Sequence, residues 1–337
     1  TILGDFLVRG APSGDNRIMD DPSHRKGFAY LRGTAIDQHV VARERLADLA
    51  DSILPRYPQL LGLSADEGTA WVVTGDTAEI IGRNKAFVYG GADPTPPGVP
   101  FLTLYPGDRY DLARRRVLHR AADDWAGGTA FVDSLFRRYA DPAAGGATVL
   151  VARDGAVLVD RSYGIPDQPH YMPTTAVPQF PLGEISRVFE ALCAQLGDEA
   201  PDGARPQSRR GPPMTPFQRC IARRVSSPVG LHRTTADSAG QVSSSVDELY
   251  RLALGLDAPH TFVRSADDPD IDPTAGWQAD TVAGVPRLRV FAAEGGRRGA
   301  FVRLPAHRTT IILLTNDPAA DALGIADAIA RRLLGAH

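Results

Sequence analysis

The sequence predicts an α/β fold in two domains, and three observations support this. The 337 residues exceed the usual size of one domain. Short apolar stretches of strand length recur along the chain, and amphipathic stretches of helical period lie among and after them. The composition is 43% hydrophobic and 23% charged with a net charge of −3, as in a globular protein without a strongly basic surface. Nucleic-acid and membrane partners are therefore not expected, and no apolar run approaches the ~20 residues that span a bilayer.

Residues 1–90 form the first predicted domain. An amphipathic stretch opens it, and a strand-like stretch then leads to Asp37-Gln38-His39. The apolar spacing after His39 predicts a helix that reaches about Leu54. Further strand patterns lie at 60–63, 69–73, 78–81 and 86–89. Residues rich in Gly and Pro then predict a linker over 91–116.

Residues 117–337 form the second predicted domain, an α/β sandwich. Asp154-Gly155, between two strand-like runs, predicts a tight hairpin. Helices are expected at 117–139, 184–196, 216–225, 246–254 and 320–334, and strands at 147–153, 156–163, 288–291, 300–304 and 309–315. The two cysteines, Cys193 and Cys220, fit neither a disulfide framework nor a zinc site, because both need more cysteines or ligands. The chain starts with Thr and shows no signal peptide, which leaves the compartment unassigned beyond a slight preference for the cytoplasm.

The candidate chemistry centres on His39. A histidine at the end of a strand is held by rigid backbone and faces the open edge of the sheet, which is where α/β folds place their active sites. Arg43 and Arg45 add two fixed positive charges a few residues later. The alternative for a lone histidine is a core or surface residue without a catalytic role.

Six segments of the first 89 residues share their order and spacing with a known family: Gly4-Asp-Phe-Leu-Val-Arg-Gly10, Gly27-Phe28, Ala35-Ile-Asp-Gln-His39, Ala42-Arg-Glu-Arg45, Leu60-Leu-Gly-Leu63 and Asp66-Glu-Gly-Thr-Ala70. They resemble the C-terminal half of the cyanophycinase-like serine peptidases. That family has a fold similar to class I glutamine amidotransferases and a Ser-His-Glu triad. The resemblance implies a partial flavodoxin-like (amidotransferase-like) sheet domain, with His39 as the general base and Glu67 as the carboxylate that orients it. It also implies a substrate pocket lined by Asp37, Gln38, Arg43 and Arg45.

These residue types suit the implied chemistry. A hydroxyl is a weak nucleophile until an imidazole takes its proton, and the imidazole needs an acceptor that fixes its tautomer. Asp66 is the alternative to Glu67 in that second role. Arg43 and Arg45 suit bidentate recognition of a carboxylate. The expected reaction is hydrolysis of an amide or peptide bond, or a related acyl transfer, in a small peptide-like or aspartyl-containing substrate. No metal cluster or nucleotide loop is visible, so no cofactor is expected.

The nucleophile is open between two alternatives. Thr1-Ile-Leu-Gly4 resembles the segment that directly follows the family's serine-bearing nucleophile elbow, and the strands at the front of the family's sheet have no counterpart here. We therefore expect a partner, an upstream chain of the same precursor that carries the elbow. If cleavage of that precursor exposes Thr1, its hydroxyl is the nucleophile and its own amine the base. Otherwise the upstream serine attacks, and Thr1 marks only a boundary.

Residues 117–337 resemble a shortened serine β-lactamase/penicillin-binding protein. The hairpin at 147–164, the segments at 180–189 and 238–249, and the final strands and helix carry the resemblance. The family's Ser-x-x-Lys falls on Glu184 and Arg187, and its later Gly-containing element falls on Glu294-Gly295-Gly296. A carboxylate cannot replace the hydroxyl nucleophile, and an arginine stays protonated, which makes it a poor base. Ser186 is the alternative nucleophile, although no lysine follows it by three residues.

The sequence thus supports a catalytic first domain fused to a degenerate β-lactamase-like domain. The second hypothesis is a non-catalytic binding or assembly module in which both domains are degenerate. A third places activity in the β-lactamase-like domain. A family resemblance in fold does not decide among them, because function depends on the site.

Overall fold

The computed structural model describes residues 3–10, 18–19, 21–41, 43–95, 99–141, 144–164, 179–197, 214–263, 270–293 and 298–335. The described residues divide into two compact units, residues 3–124 and residues 125–335. The predicted α/β class is confirmed, since the chain forms several sheets together with α-helices. No helix among the described residues is both long and apolar enough to cross a membrane.

The first unit contains two sheets. Its strands are β1 (Gly4–Leu7), β2 (Leu31–Gln38), β3 (Leu61–Ala65), β4 (Thr69–Thr74), β5 (Thr77–Gly82), β6 (Ala86–Tyr89), β7 (Leu102–Leu104), β8 (Arg109–Asp111) and β9 (Arg116–His119). Five strands pair in the order β1-β2-β3-β6-β7, and the others in the order β4-β5-β8-β9. Strands β1, β2 and β3 run parallel, whereas β6 and β7 are antiparallel to their neighbours. The carboxyl ends of the three parallel strands therefore meet at one edge.

Apolar residues cover both faces of the five-stranded sheet. Phe87 and Tyr89 of β6 belong to one core cluster with Leu49 and Ile53, while alternate residues such as Val88 face a second cluster. This alternation is the period of two that a strand imposes on its side chains.

Three expectations for this region are wrong. The helix predicted after His39 is only a π-helical turn, Leu49–Ile53, because the backbone first turns with Glu44 at a φ of 55°. The predicted linker at 91–116 contains β7 and β8, from which Leu104 and Tyr110 join the core, while Pro106 and Gly107 form the turn between them. The start of the helix predicted at 117–139 is strand β9, since pairing with β8 overrides the local helical pattern.

The second unit is built on a six-stranded antiparallel sheet. The strands of the whole unit are β10 (Ala147–Arg153), β11 (Ala156–Tyr163), β12 (Phe180–Pro181), β13 (Thr235–Ala236), β14 (Val242–Ser244), β15 (Gln278–Val282), β16 (Val285–Ala292), β17 (Arg298–Leu304) and β18 (Thr309–Thr315). Its helices are α1 (Gly128–Leu135), α2 (Arg187–Leu196), α3 (Pro216–Cys220), α4 (Ser226–Val229), α5 (Val246–Asp257) and α6 (Ala322–Leu333). A π-helical stretch, Ile221–Val225, joins α3 to α4.

The order of the large sheet is β11-β10-β18-β17-β16-β15, and β12, β14 and β13 form a small separate sheet. Every residue of β18 is buried, so both faces of the large sheet are covered. Helices α1 and α6 contribute to the core on one face, and α5 contacts β10 and β18.

The expectation for the cysteines is wrong. Cys193 in α2 and Cys220 in α3 form a disulfide, with their Cα atoms 5.8 Å apart. A single pair 27 residues apart gives no spacing pattern from which this bond could be deduced. The packing of α2 against α3 brings the two side chains together.

Candidate active site

His39 follows the last residue of β2 at the carboxyl edge of the parallel strands. Its backbone N–H donates to the carbonyl of Ala65, the last residue of β3, at 2.9 Å. Its φ of 57° lies in the left-handed region, which is uncommon for a residue with a side chain. The chain therefore turns sharply at His39 instead of continuing along the strand.

Glu67 approaches the His39 ring from the turn after β3. Its Oε1 lies 3.2 Å from Nδ1 of His39, and the two side chains are 34% (His39) and 33% (Glu67) exposed. The Nδ1 atom itself is shielded from solvent and is not aligned for a hydrogen bond. The solvent-exposed part of the His39 side chain therefore consists of its other atoms, while Nδ1 faces the carboxylate of Glu67. Such contacts are often loose in ligand-free sites and tighten when substrate binds.

Asp66, the alternative to Glu67, has a different environment. It is buried, and its Oδ2 accepts a hydrogen bond from Nδ2 of Asn84 at 2.6 Å. The backbone N–H of Asn84 donates to the hydroxyl of Thr69 at 2.9 Å. These bonds anchor the turn that carries Glu67.

The same strand, β2, ends at Gln38. Arg43 and Arg45 lie in the segment that follows His39. Gln38 and Arg43 are exposed, and Arg45 is half-buried. Backbone bonds fold this segment back, with the N–H of Arg43 donating to the carbonyl of His39 at 3.0 Å. Neither Arg43 nor Arg45 makes a side-chain ion pair or hydrogen bond with any residue that the structure describes. Burial, followed by the positive charges of Arg9 and Arg43, lowers the pKa of Arg45, although a guanidinium remains protonated.

Asp37 lies beneath this edge and is not exposed at it. Its side chain is buried, and Nε of Arg9 donates to its two oxygens at 2.9 and 3.0 Å. Sequence reasoning did not identify Arg9, because a buried partner 28 residues away leaves no local pattern. The substrate-lining role that the resemblance gives Asp37 is not supported by this placement.

Thr1 lies outside the described residues.

The second unit does not assemble the elements of a serine β-lactamase at the described positions. Glu184 lies in the 3-10 turn before α2 and Arg187 is the first residue of α2; Oε1 of Glu184 and Nη2 of Arg187 are 3.7 Å apart, and both side chains are partly exposed. Ser186 is buried, and its hydroxyl accepts the backbone N–H of Val242 at 3.4 Å. Glu294-Gly295-Gly296 lie outside the described residues. Within the described ranges, no group of three or more His, Cys, Asp or Glu side chains is placed to hold a metal ion.

The chain is similar to a known protein over part of its length. It is 31% identical over 93 residues to the cyanophycinase of Geminocystis herdmanii (strain PCC 6308), which covers 27% of this chain and 33% of that protein. The chain therefore spans about a third of the length of the curated relative it matches. No protein-family model matches it. The predicted resemblance is supported to this extent, whereas the assignment to the C-terminal half and the fusion remain predictions.

Several solved structures show partial likeness to this chain. The octameric penicillin-binding protein homologue from Pyrococcus abyssi aligns with 62% of this chain and 78% of its own at 13% identity and a TM-score of 0.44. The class C β-lactamase from Rhodobacter sphaeroides aligns with 62% of this chain and 100% of its own at 14% identity and a TM-score of 0.43. TM-scores below 0.5 do not by themselves establish a common fold.

Proposed function

We propose that the first unit belongs to an amide-bond hydrolase, or a related acyl-transfer enzyme, in which His39 is the general base and Glu67 orients it. One observation carries the proposal: Nδ1 of His39 and a carboxylate oxygen of Glu67 lie 3.2 Å apart at the carboxyl edge of the parallel strands. This edge is where α/β sheets place reacting groups. The similarity to a cyanophycinase supports the same reaction class.

In this reaction the other ring nitrogen, Nε2, takes the proton of a hydroxyl as the oxygen attacks the substrate carbonyl. Glu67 keeps the second proton on Nδ1 and stabilises the imidazolium that forms. The imidazolium then protonates the departing amine, and water or another amine releases the acyl group. The hydroxyl that His39 deprotonates belongs either to Thr1 or to a serine on a partner segment produced from the same precursor.

The substrate carries an anionic group in this proposal. Arg43 and Arg45 follow His39 along the chain, and neither guanidinium has a partner among the described residues; Gln38 adds an exposed amide. Burial is the first cause of the lowered pKa of Arg45, and the positive charges of Arg9 and Arg43 add to it, while Asp37 and Asp48 offset the effect only in part. A bound carboxylate would offset it further. An aspartyl side chain or a terminal carboxylate fits this requirement.

Glu67→Gln is expected to lower kcat for a peptide-like substrate by about 10³-fold, because the amide cannot stabilise the imidazolium as a carboxylate does. Steady-state kinetics on α-aspartyl p-nitroanilide would measure the change. Glu44→Gln is the matched control, since Glu44 is an exposed glutamate in the turn after His39. Equal activity of the Glu67 and Glu44 variants would remove Glu67 from the mechanism.

Arg43→Gln and Arg45→Gln are each expected to raise KM for α-aspartyl p-nitroanilide about 10- to 100-fold, the value of one charge-assisted hydrogen bond. The neutral analogue asparaginyl p-nitroanilide should be nearly unaffected, because it offers no carboxylate. Arg32→Gln, an exposed arginine at the other end of β2, serves as the control. A similar loss for both substrates would contradict recognition of an anion.

For the second unit we propose a non-catalytic scaffold. The observation that favours this is chemical: Glu184 and Arg187 stand at the positions of the family's Ser and Lys, just before and at the start of α2, and Ser186 is buried. Measurable hydrolysis of nitrocefin that survives His39→Ala would contradict it.

A further inference from the structure

A network of three charged residues, Arg9, Asp37 and Asp48, adjoins His39, and the first two are buried. Nη2 of Arg9 donates to Oδ2 of Asp37 at 2.6 Å and also contacts the carboxylate of Asp48. The side chain of Asp37 is 0% exposed and that of Arg9 is 6% exposed. Burial alone would lower the pKa of Arg9, but the hydrogen bonds and charges of the two carboxylates raise it. The network is therefore a charged, paired cluster with its hydrogen bonds made.

The network joins three segments of the chain. Arg9 follows β1, Asp37 is the penultimate residue of β2, and Asp48 directly precedes the Leu49–Ile53 turn. One guanidinium thus links the ends of two parallel strands to the segment that returns from the site. Arginine suits this role because its planar fork fixes the geometry of the carboxylates that it binds.

Asp37 also holds the peptide next to His39. Its Oδ1 accepts the backbone N–H of Gln38 at 2.9 Å while it accepts Nε of Arg9. His39 then adopts a left-handed conformation, which persists only when its surroundings enforce it. Two further backbone hydrogen bonds hold His39 in this conformation. The N–H of His39 donates to the carbonyl of Ala65, and the carbonyl of His39 accepts the N–H of Arg43.

We infer that Asp37, held by Arg9 and Asp48, is a positioning residue that fixes the backbone turn at His39 and so brings its ring to Glu67. The inference rests on the proposed role of His39 as general base. Both oxygens of Asp37 are engaged and its side chain is excluded from solvent, so it does not bind substrate. It acts through His39.

The test is Asp37→Asn, with kcat and KM measured separately on α-aspartyl p-nitroanilide and folding followed by circular dichroism. A misplacement of about 1 Å at a catalytic group costs on the order of 10²-fold, so kcat should fall about 100-fold with KM within about twofold. The matched control is Asp108→Asn, because Asp108 is also buried and paired with an arginine, Arg120, at 2.8 Å. That variant should lose stability but keep kcat.

Arg9→Lys keeps the test decisive if Asp37→Asn does not fold. Lysine preserves the positive charge of Arg9 but not its planar guanidinium, so kcat of Arg9→Lys should fall about tenfold. Arg9→Met also removes the charge and should lower kcat further. An increase in KM at unchanged kcat would show instead that Asp37 binds substrate. Unchanged kcat in the Asp37 and Arg9 variants, with His39→Ala inactive, would overturn the positioning role and leave the hydrolase proposal intact. Full activity of His39→Ala would overturn the hydrolase proposal itself.

Discussion

Replacing His39 with alanine is expected to lower kcat/KM for amide hydrolysis on the order of 10⁴-fold, about 5 kcal/mol of transition-state stabilisation. Without the imidazole, the hydroxyl keeps its proton during attack, and the departing amine has no acid to protonate it. The effect should be mainly on kcat, because the ring contributes little to binding the ground state. Steady-state kinetics on α-aspartyl p-nitroanilide would measure it.

His24→Ala is the matched control for this prediction. His24 is an exposed histidine of the same unit, and its Nδ1 lies 2.9 Å from a carboxylate oxygen of Asp21. It thus reproduces a histidine–carboxylate pair away from the strand edge. Comparable losses in the His24 and His39 variants would point to a general effect on the fold, and an unchanged rate in the His39 variant would exclude the proposed mechanism.

Removing the disulfide by Cys193→Ser and Cys220→Ser is expected to lower the free energy of unfolding of the second unit by about 3.5 kcal/mol. The bond closes a loop of 27 residues between α2 and α3, and its loss gives the unfolded chain more conformations. Urea unfolding followed by far-ultraviolet circular dichroism, with and without dithiothreitol, would measure the change.

The double variant supplies its own control, because dithiothreitol should not alter its unfolding. The wild type should approach the variant when reduced. An oxidised wild type no more stable than the variant would mean that the bond does not form in solution. Such bonds persist in oxidising surroundings, so the test also indicates the conditions in which the protein is most stable.

Local patterns predicted the elements that depend on local interactions. The hairpin of β10 and β11 follows from Asp154-Gly155, both of which have the positive φ that a type I′ turn requires. Helix α6 follows from its amphipathic pattern, and its N-terminus is capped by Asp321, whose side chain accepts the N–H of Gly324.

Elements that depend on distant partners were not predicted. The strand β9 forms because it pairs with β8, and the disulfide forms because two helices pack together. The same limit applies to the site. The sequence identified His39 and Glu67 by resemblance and left Asp66 as an alternative, but it did not identify Arg9, whose contact with Asp37 arises only when β1 and β2 align in parallel.

The most direct test of the His39–Glu67 mechanism is labelling by a fluorophosphonate, a reagent that reacts with activated hydroxyl nucleophiles. The natural gene product and its His39→Ala variant would be treated in parallel, and the adduct located by intact-protein and peptide mass spectrometry. We expect a single adduct, on Thr1 or on a serine of the accompanying segment, that forms at least about 100-fold more slowly without His39. No adduct in the natural protein, or equal labelling of both proteins, would contradict the proposed mechanism.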